Sequence, residues 1–104
     1  MQTFPVKDPG ESVDLTFNMA SNLPTGVTLN GAISVAVSVL EGVDPSPGAI
    51  LNGAAGLDST STMVIQPVTG GLSGVLYEVK VTANTTTSTI VLVLAGALPV
   101  RNAS

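Results

Sequence analysis

Three stretches of this chain alternate apolar and small or polar side chains, and that period of two constrains the fold more than any other feature. In "SVDLTFNM", Val13, Leu15, Phe17 and Met19 share one face while Asp14, Thr16 and Asn18 take the other. "AISVAVSVL" sets Ile33, Val35, Val37 and Val39 against Ser34, Ala36 and Ser38, and "GVLYEVKVT" sets Val75, Tyr77, Val79 and Val81 against Leu76, Glu78, Lys80 and Thr82. Side chains of an extended strand point alternately to its two faces, so each stretch predicts a strand with one face in a core. Between them, Gly, Pro, Ser and Asn recur at short intervals, which predicts many short strands joined by turns and an all-β class.

The remaining elements are read more weakly. "EGVDPSPGAILNGAAGLD", from Glu41 to Asp58, reads as a loop holding one short strand at Ala49-Ile50-Leu51. "TSTMVIQPV", from Thr60 to Val68, predicts another strand, placed at an edge or ending near Pro67 because proline has no backbone donor. "TGGLSG" turns the chain before the strand that starts at Val75, and "ANTTTST" connects that strand to the last one. The last strand, Thr89 to Leu98, is apolar on both faces, so it is covered on both sides or presents its outer face to another chain.

With a strand before Asp8, the reading is an immunoglobulin-like β-sandwich of about six to seven antiparallel strands. At 104 residues the expectation is one domain over 1–104, with a short flexible tail near 101–104. The core must be built from small branched aliphatics, because Phe4, Phe17 and Tyr77 are the only aromatics. Tyr77, three residues after Gly74, holds a place from which a corner tyrosine hydrogen-bonds in such sandwiches.

The chain contains neither Cys nor His, which removes thiol nucleophiles, imidazole bases, disulfides and the usual zinc ligands. Without His, the many Ser and Thr hydroxyls have no imidazole to activate them, and neither Lys7 nor Lys80 stands in a Ser-x-x-Lys arrangement. Among the seven carboxylates nothing selects a pair for glycoside cleavage. Asp8, Glu11 and Asp14 lack the spacing of a calcium loop. "TGGLSG" precedes a strand rather than a helix, unlike a phosphate-cradling loop. The chain is therefore read as a non-enzyme needing no cofactor.

Net charge is −4 with Lys7, Lys80 and Arg101 as the only cations, so no basic surface is available for nucleic acid. No apolar run is long enough for a membrane-spanning helix, and the N-terminus lacks the basic and apolar regions of a secretory signal. Asn84-Thr85-Thr86 and Asn102-Ala103-Ser104 match the glycosylation acceptor pattern, which short motifs do by chance.

"KDPGESVDLTF" concentrates charge at a turn that feeds the first core strand. Pro9 pre-sets the second turn position, Gly10 tolerates positive φ at the third, and Asp8 accepts from the backbone ahead. Its charges are expected at the surface. Lys7, Asp8 and Glu11 are thus candidate partner contacts, together with Val91 and Val93 of the last strand.

Read together, "FPVKDPGESVDLTF", "VTGGLSGVLYEVKVTANTT" and the closing "LPV" resemble the small immunoglobulin-like virion proteins of tailed bacteriophages of the fibre-tail adaptor type. The resemblance rests on Phe4-Pro5, Lys7-Asp8-Pro9 and Glu11, and on Gly70, Gly71, Gly74, Val75, Tyr77, Val79, Val81 and Thr85 to Thr87. It implies a structural protein made in the bacterial host cytoplasm and carried in the virion, in its tail. Its partners would be tail or fibre subunits, or the capsid, with self-association in several copies. A capsid-surface decoration protein and a host-surface or glycan-binding module are the alternatives that the residues leave open.

Overall fold

In a computed structural model the structure describes residues 2–102. Among the described residues seven strands form two sheets: β1 (Gln2–Thr3), β2 (Ser12–Asn18), β3 (Leu29–Glu41), β4 (Gly56–Leu57), β5 (Met63–Thr69), β6 (Val75–Thr85) and β7 (Val91–Val100). One sheet has the order β1-β7-β6-β3, the other β2-β5-β4. The pairs are antiparallel except β1 with β7, which run parallel through Gln2 opposite Gly96 and Thr3 opposite Ala97. This is the all-β, immunoglobulin-like sandwich that the alternation predicts.

The inward faces are the apolar faces of the sequence. Leu15 and Phe17 of β2, Val64 and Val68 of β5, and Val75, Tyr77, Val79 and Val81 of β6 are buried in one cluster with Leu98 and Val100 of β7. Phe4 and Phe17 meet edge to face, with ring centroids 5.3 Å apart, joining the segment after β1 to the opposite sheet. The ring of Phe4 lies over Gly96, where an added Cβ would collide with it.

Three readings of the chain are corrected. Ala49-Ile50-Leu51 is not a strand: Pro47–Ile50 form a 3-10 turn with proline at its start, and Leu51 makes only an isolated bridge to Val68. The proline pre-sets a helical φ, and Ile50 is buried without pairing. The short strand of this loop falls instead at Gly56–Leu57. The connection read from "ANTTTST" starts late, because β6 continues through Thr85. Thr85 is buried; its hydroxyl accepts from the Thr87 amide and shares its one hydrogen between the carbonyls of Thr87 and Ile90, so it closes the β6–β7 turn.

Pro67 sits in β5 opposite Asp14 of β2. β5 is the middle strand, yet β4 covers it only at Val64 and Ile65, and beyond them Asn52 donates its amide to the Pro67 carbonyl. Proline is accommodated where a full neighbouring ladder is missing. At the C-terminus, Arg101 donates its amide to the Lys7 carbonyl and Asn102 to the Ser73 hydroxyl, while the last two residues of the expected tail lie outside the described residues.

Candidate functional site

The opening turn forms as its residues predict. The Glu11 amide donates to the Asp8 carbonyl at 2.9 Å, the Gly10 amide to Asp8 Oδ2 at 2.7 Å, and the Asp8 amide to Glu11 Oε1 at 2.7 Å. Gly10 is not at positive φ, so its expected backbone role is corrected. The carboxylates of Asp8 and Glu11 both serve backbone amides, which accounts for their spacing within the turn.

Lys7 departs from the expectation that the charges of this segment are exposed. It is 2% exposed, and Nζ donates to the Gly70 carbonyl at 2.6 Å and to the Asp8 carbonyl at 3.0 Å. Burial lowers its pKa from the usual lysine value, and the charges of Glu11 and Asp8 act against that shift. The ammonium ties the first turn to the "TGG" turn. Gly71 in that turn stands at φ +95, where a Cβ would press on Val100.

Tyr77 binds the same corner from inside. Its buried hydroxyl accepts from the Leu72 amide at 2.9 Å and donates to Asp44 Oδ2 at 2.6 Å. Burial first, then the Asp44 carboxylate, raises the phenol's pKa above its ordinary value. Gln66, also buried, donates to the carbonyls of Gly53 and Pro67 and fixes the irregular chain before β4. Among the described residues no buried side-chain nitrogen or oxygen is left without a hydrogen bond, and no group of three or more Asp, Glu, His or Cys could hold a metal. The buried polar side chains hold loops in place.

The other candidates lie on the outer face of the four-stranded sheet. Val91 and Val93 are each 51% exposed, opposite Asn84 and Thr82 of β6, whereas Leu92 and Leu94, which alternate with them, pack against the core. A strand that reads as apolar on both faces thus has one face in the core and one in solvent at its first half. The structure brings Lys7, Asp8 and Glu11 together but separates them from the valines. Lys7 bridges to Val100, at the far end of β7 from Val91, roughly 30 Å away at the usual rise per residue. The molecule measures 46 × 22 × 21 Å, so these regions mark opposite parts of an elongated body.

Residues 7–93 match the family described as Podophage GP4 fiber-tail adaptor protein gp77. The chain belongs to that family. The match opens at Lys7 and takes in the Asp-Pro-Gly turn, the Gly70-Gly71 turn, Tyr77 and both exposed valines of β7. The family is one of structural adaptors of the phage particle rather than of enzymes. No curated protein and no solved structure matches the chain. Sequence reasoning missed Asp44, Gln66 and the buried state of Lys7. Asp44 meets Tyr77, Gln66 meets Gly53 and Lys7 meets Gly70 across 33, 13 and 63 residues, and only the general expectation that a buried polar group needs a partner pointed towards them.

Proposed function

We propose that this chain is a non-enzymatic component of the phage tail that joins tail and fibre proteins by direct contact. The observation that carries the reading is family membership over residues 7–93. The distribution of exposed groups supports it. One end presents the Asp8-Pro9-Gly10-Glu11 turn; the other presents Val91 and Val93 on an open sheet face. An adaptor has to hold two neighbours, and two chemically different surfaces on an elongated, internally satisfied body suit that task.

In this reading Val91 and Val93 pack on an apolar surface of one neighbour, while Asp8 and Glu11 meet polar or basic groups of the other. Lys7 contributes by holding the turn in shape. The test is to locate the chain in purified phage particles by immunogold electron microscopy. Labelling at the junction of tail and fibres is the expected result; labelling of the capsid surface, or no chain in the particle, would refute it.

A further inference from the structure

Among the described residues, one edge of β3 has no strand beside it. β3 hydrogen-bonds as a strand only to β6, through Ile33 to Val39 and at both of its ends. Its other edge takes no backbone hydrogen bond along Ile33 to Val39 from any described residue. Natural edge strands are usually protected by a lysine, a proline or an inward charge. Between Leu29 and Leu40 this strand has none of these, in "LNGAISVAVSVL", and its irregular positions lie outside the segment Ile33 to Val39. A row of unpaired amides and carbonyls calls for an extended backbone as its occupant.

The sequence of the edge indicates which backbone. "ISVAVSV", Ile33 to Val39, reads the same in both directions about Ala36 apart from Ile at one end and Val at the other. In an antiparallel pair across a two-fold axis at Ala36, Val35 lies opposite Val37 of the second copy, Ser34 opposite Ser38, and Ile33 opposite Val39. Valine then faces valine on the inner side, and serine faces serine on the outer side. Glu41, the only charge on the strand, lies outside the regular segment Ile33 to Val39, so no like charges meet within the paired segment although each copy carries −4.

The side chains beside the edge complete the case. Ile33, Val35, Val37 and Val39 point inward yet stay partly exposed; beside Ile33 and Val35 the gap is lined by Leu51, Gln66 and Gly53-Ala54-Ala55, the last three of which supply little side-chain bulk. A second copy would close this seam with its own Ile33 to Val39. Of the other open edges, β2 carries the charge of Asp14 and its Thr16 carbonyl accepts from Gln2 Nε2, and Val91 to Ala95 of β7 offers only five residues before β1 takes over at Gly96. We infer that two copies pair antiparallel through β3, centred on Ala36, into one continuous eight-stranded sheet with Val91 and Val93 of both copies on the same outer face. Two-fold contacts of this kind are the commonest in homo-oligomers.

The inference concerns the chain alone and is tested without any virion component, so its failure would leave the adaptor reading standing. Light scattering of the purified chain over a dilution series measures its mass. Two single-cysteine variants, Ala36→Cys and Ser34→Cys, then read the register, because the chain has no cysteine of its own. Opposed Cα atoms of an antiparallel pair lie about 4.5–5.5 Å apart, within the range a disulfide bridges. Residue 34 would lie roughly 13 Å from its counterpart, beyond that range.

The expected result is a doubling of mass with concentration, and oxidative dimer formation by Ala36→Cys but not by Ser34→Cys. A single-chain mass at every concentration would overturn the inference. So would equal crosslinking of the two variants, or a dimer that neither variant crosslinks.

Discussion

The hydroxyl of Tyr77 has a partner on each side, and both belong to loops rather than to strands. Replacing Tyr77 by Phe keeps the ring in the core but leaves the Leu72 amide and the Asp44 carboxylate short of a partner. The expected cost is about 1–3 kcal/mol in a urea melt, the usual penalty for an unsatisfied buried group. Lys7→Met does the same to the Gly70 and Asp8 carbonyls and is expected to loosen the "TGG" turn, read as faster amide exchange near Gly70. Asp58 gives a pH prediction. The Thr60 hydroxyl, followed by the amides of Met63, Thr62 and Thr60, holds its carboxyl at about 2, below the usual carboxylate value. Its folded pKa is depressed, so its stabilising contribution is complete above the unfolded carboxylate value of about 3.9 and is lost as pH falls through about 2. A carboxyl NMR titration should show Asp58 with the low midpoint, and an ordinary midpoint would contradict the hydrogen-bond assignment. These roles were only partly legible in the chain. Tyr77 was marked by its place after Gly74, but the burial of Lys7 depends on a carbonyl 63 residues away.

At the scale of elements, the strands with strict alternation were legible because a period-two pattern has one stable solution when one face is apolar. β2, β3 and β6 appear where the apolar residues alternate. The segment Glu41 to Asp58 was not legible in the same way, since Ala49-Ile50-Leu51 fits a buried turn as well as a strand and Pro47 decides in favour of the turn. Gly96 illustrates a constraint that belongs to packing. Its bare backbone lets Phe4 lie over β7 and reach Phe17, and Gly96→Ala would drive a Cβ into that ring. The variant is expected to lose about 1–3 kcal/mol, as overpacked cores do, with the loss confined to contacts of the β1 segment. A thermal melt measures the loss; wild-type stability would contradict the close approach.

For the whole molecule, the exposed face of β7 and the acidic turn at the opposite end are two of the surfaces left after the fold has satisfied its buried polar groups, beside exposed Val6, Leu40, Val43 and Leu72. The sequence placed Val91 and Val93 on a doubly apolar strand, which is why the open face was anticipated, but their separation from Asp8 and Glu11 is a property of topology: the first turn bridges to the end of β7, not to its start. Substituting both exposed valines by Asp should leave stability nearly unchanged, within roughly 0.5 kcal/mol for surface positions, while weakening assembly. The most direct measurement is the binding of the purified chain to isolated tail and fibre fractions of its phage, for the native protein beside Val91→Asp/Val93→Asp. The account predicts saturable binding of the native chain to both fractions, with binding to one of them lost in the variant. Binding to neither fraction would contradict it.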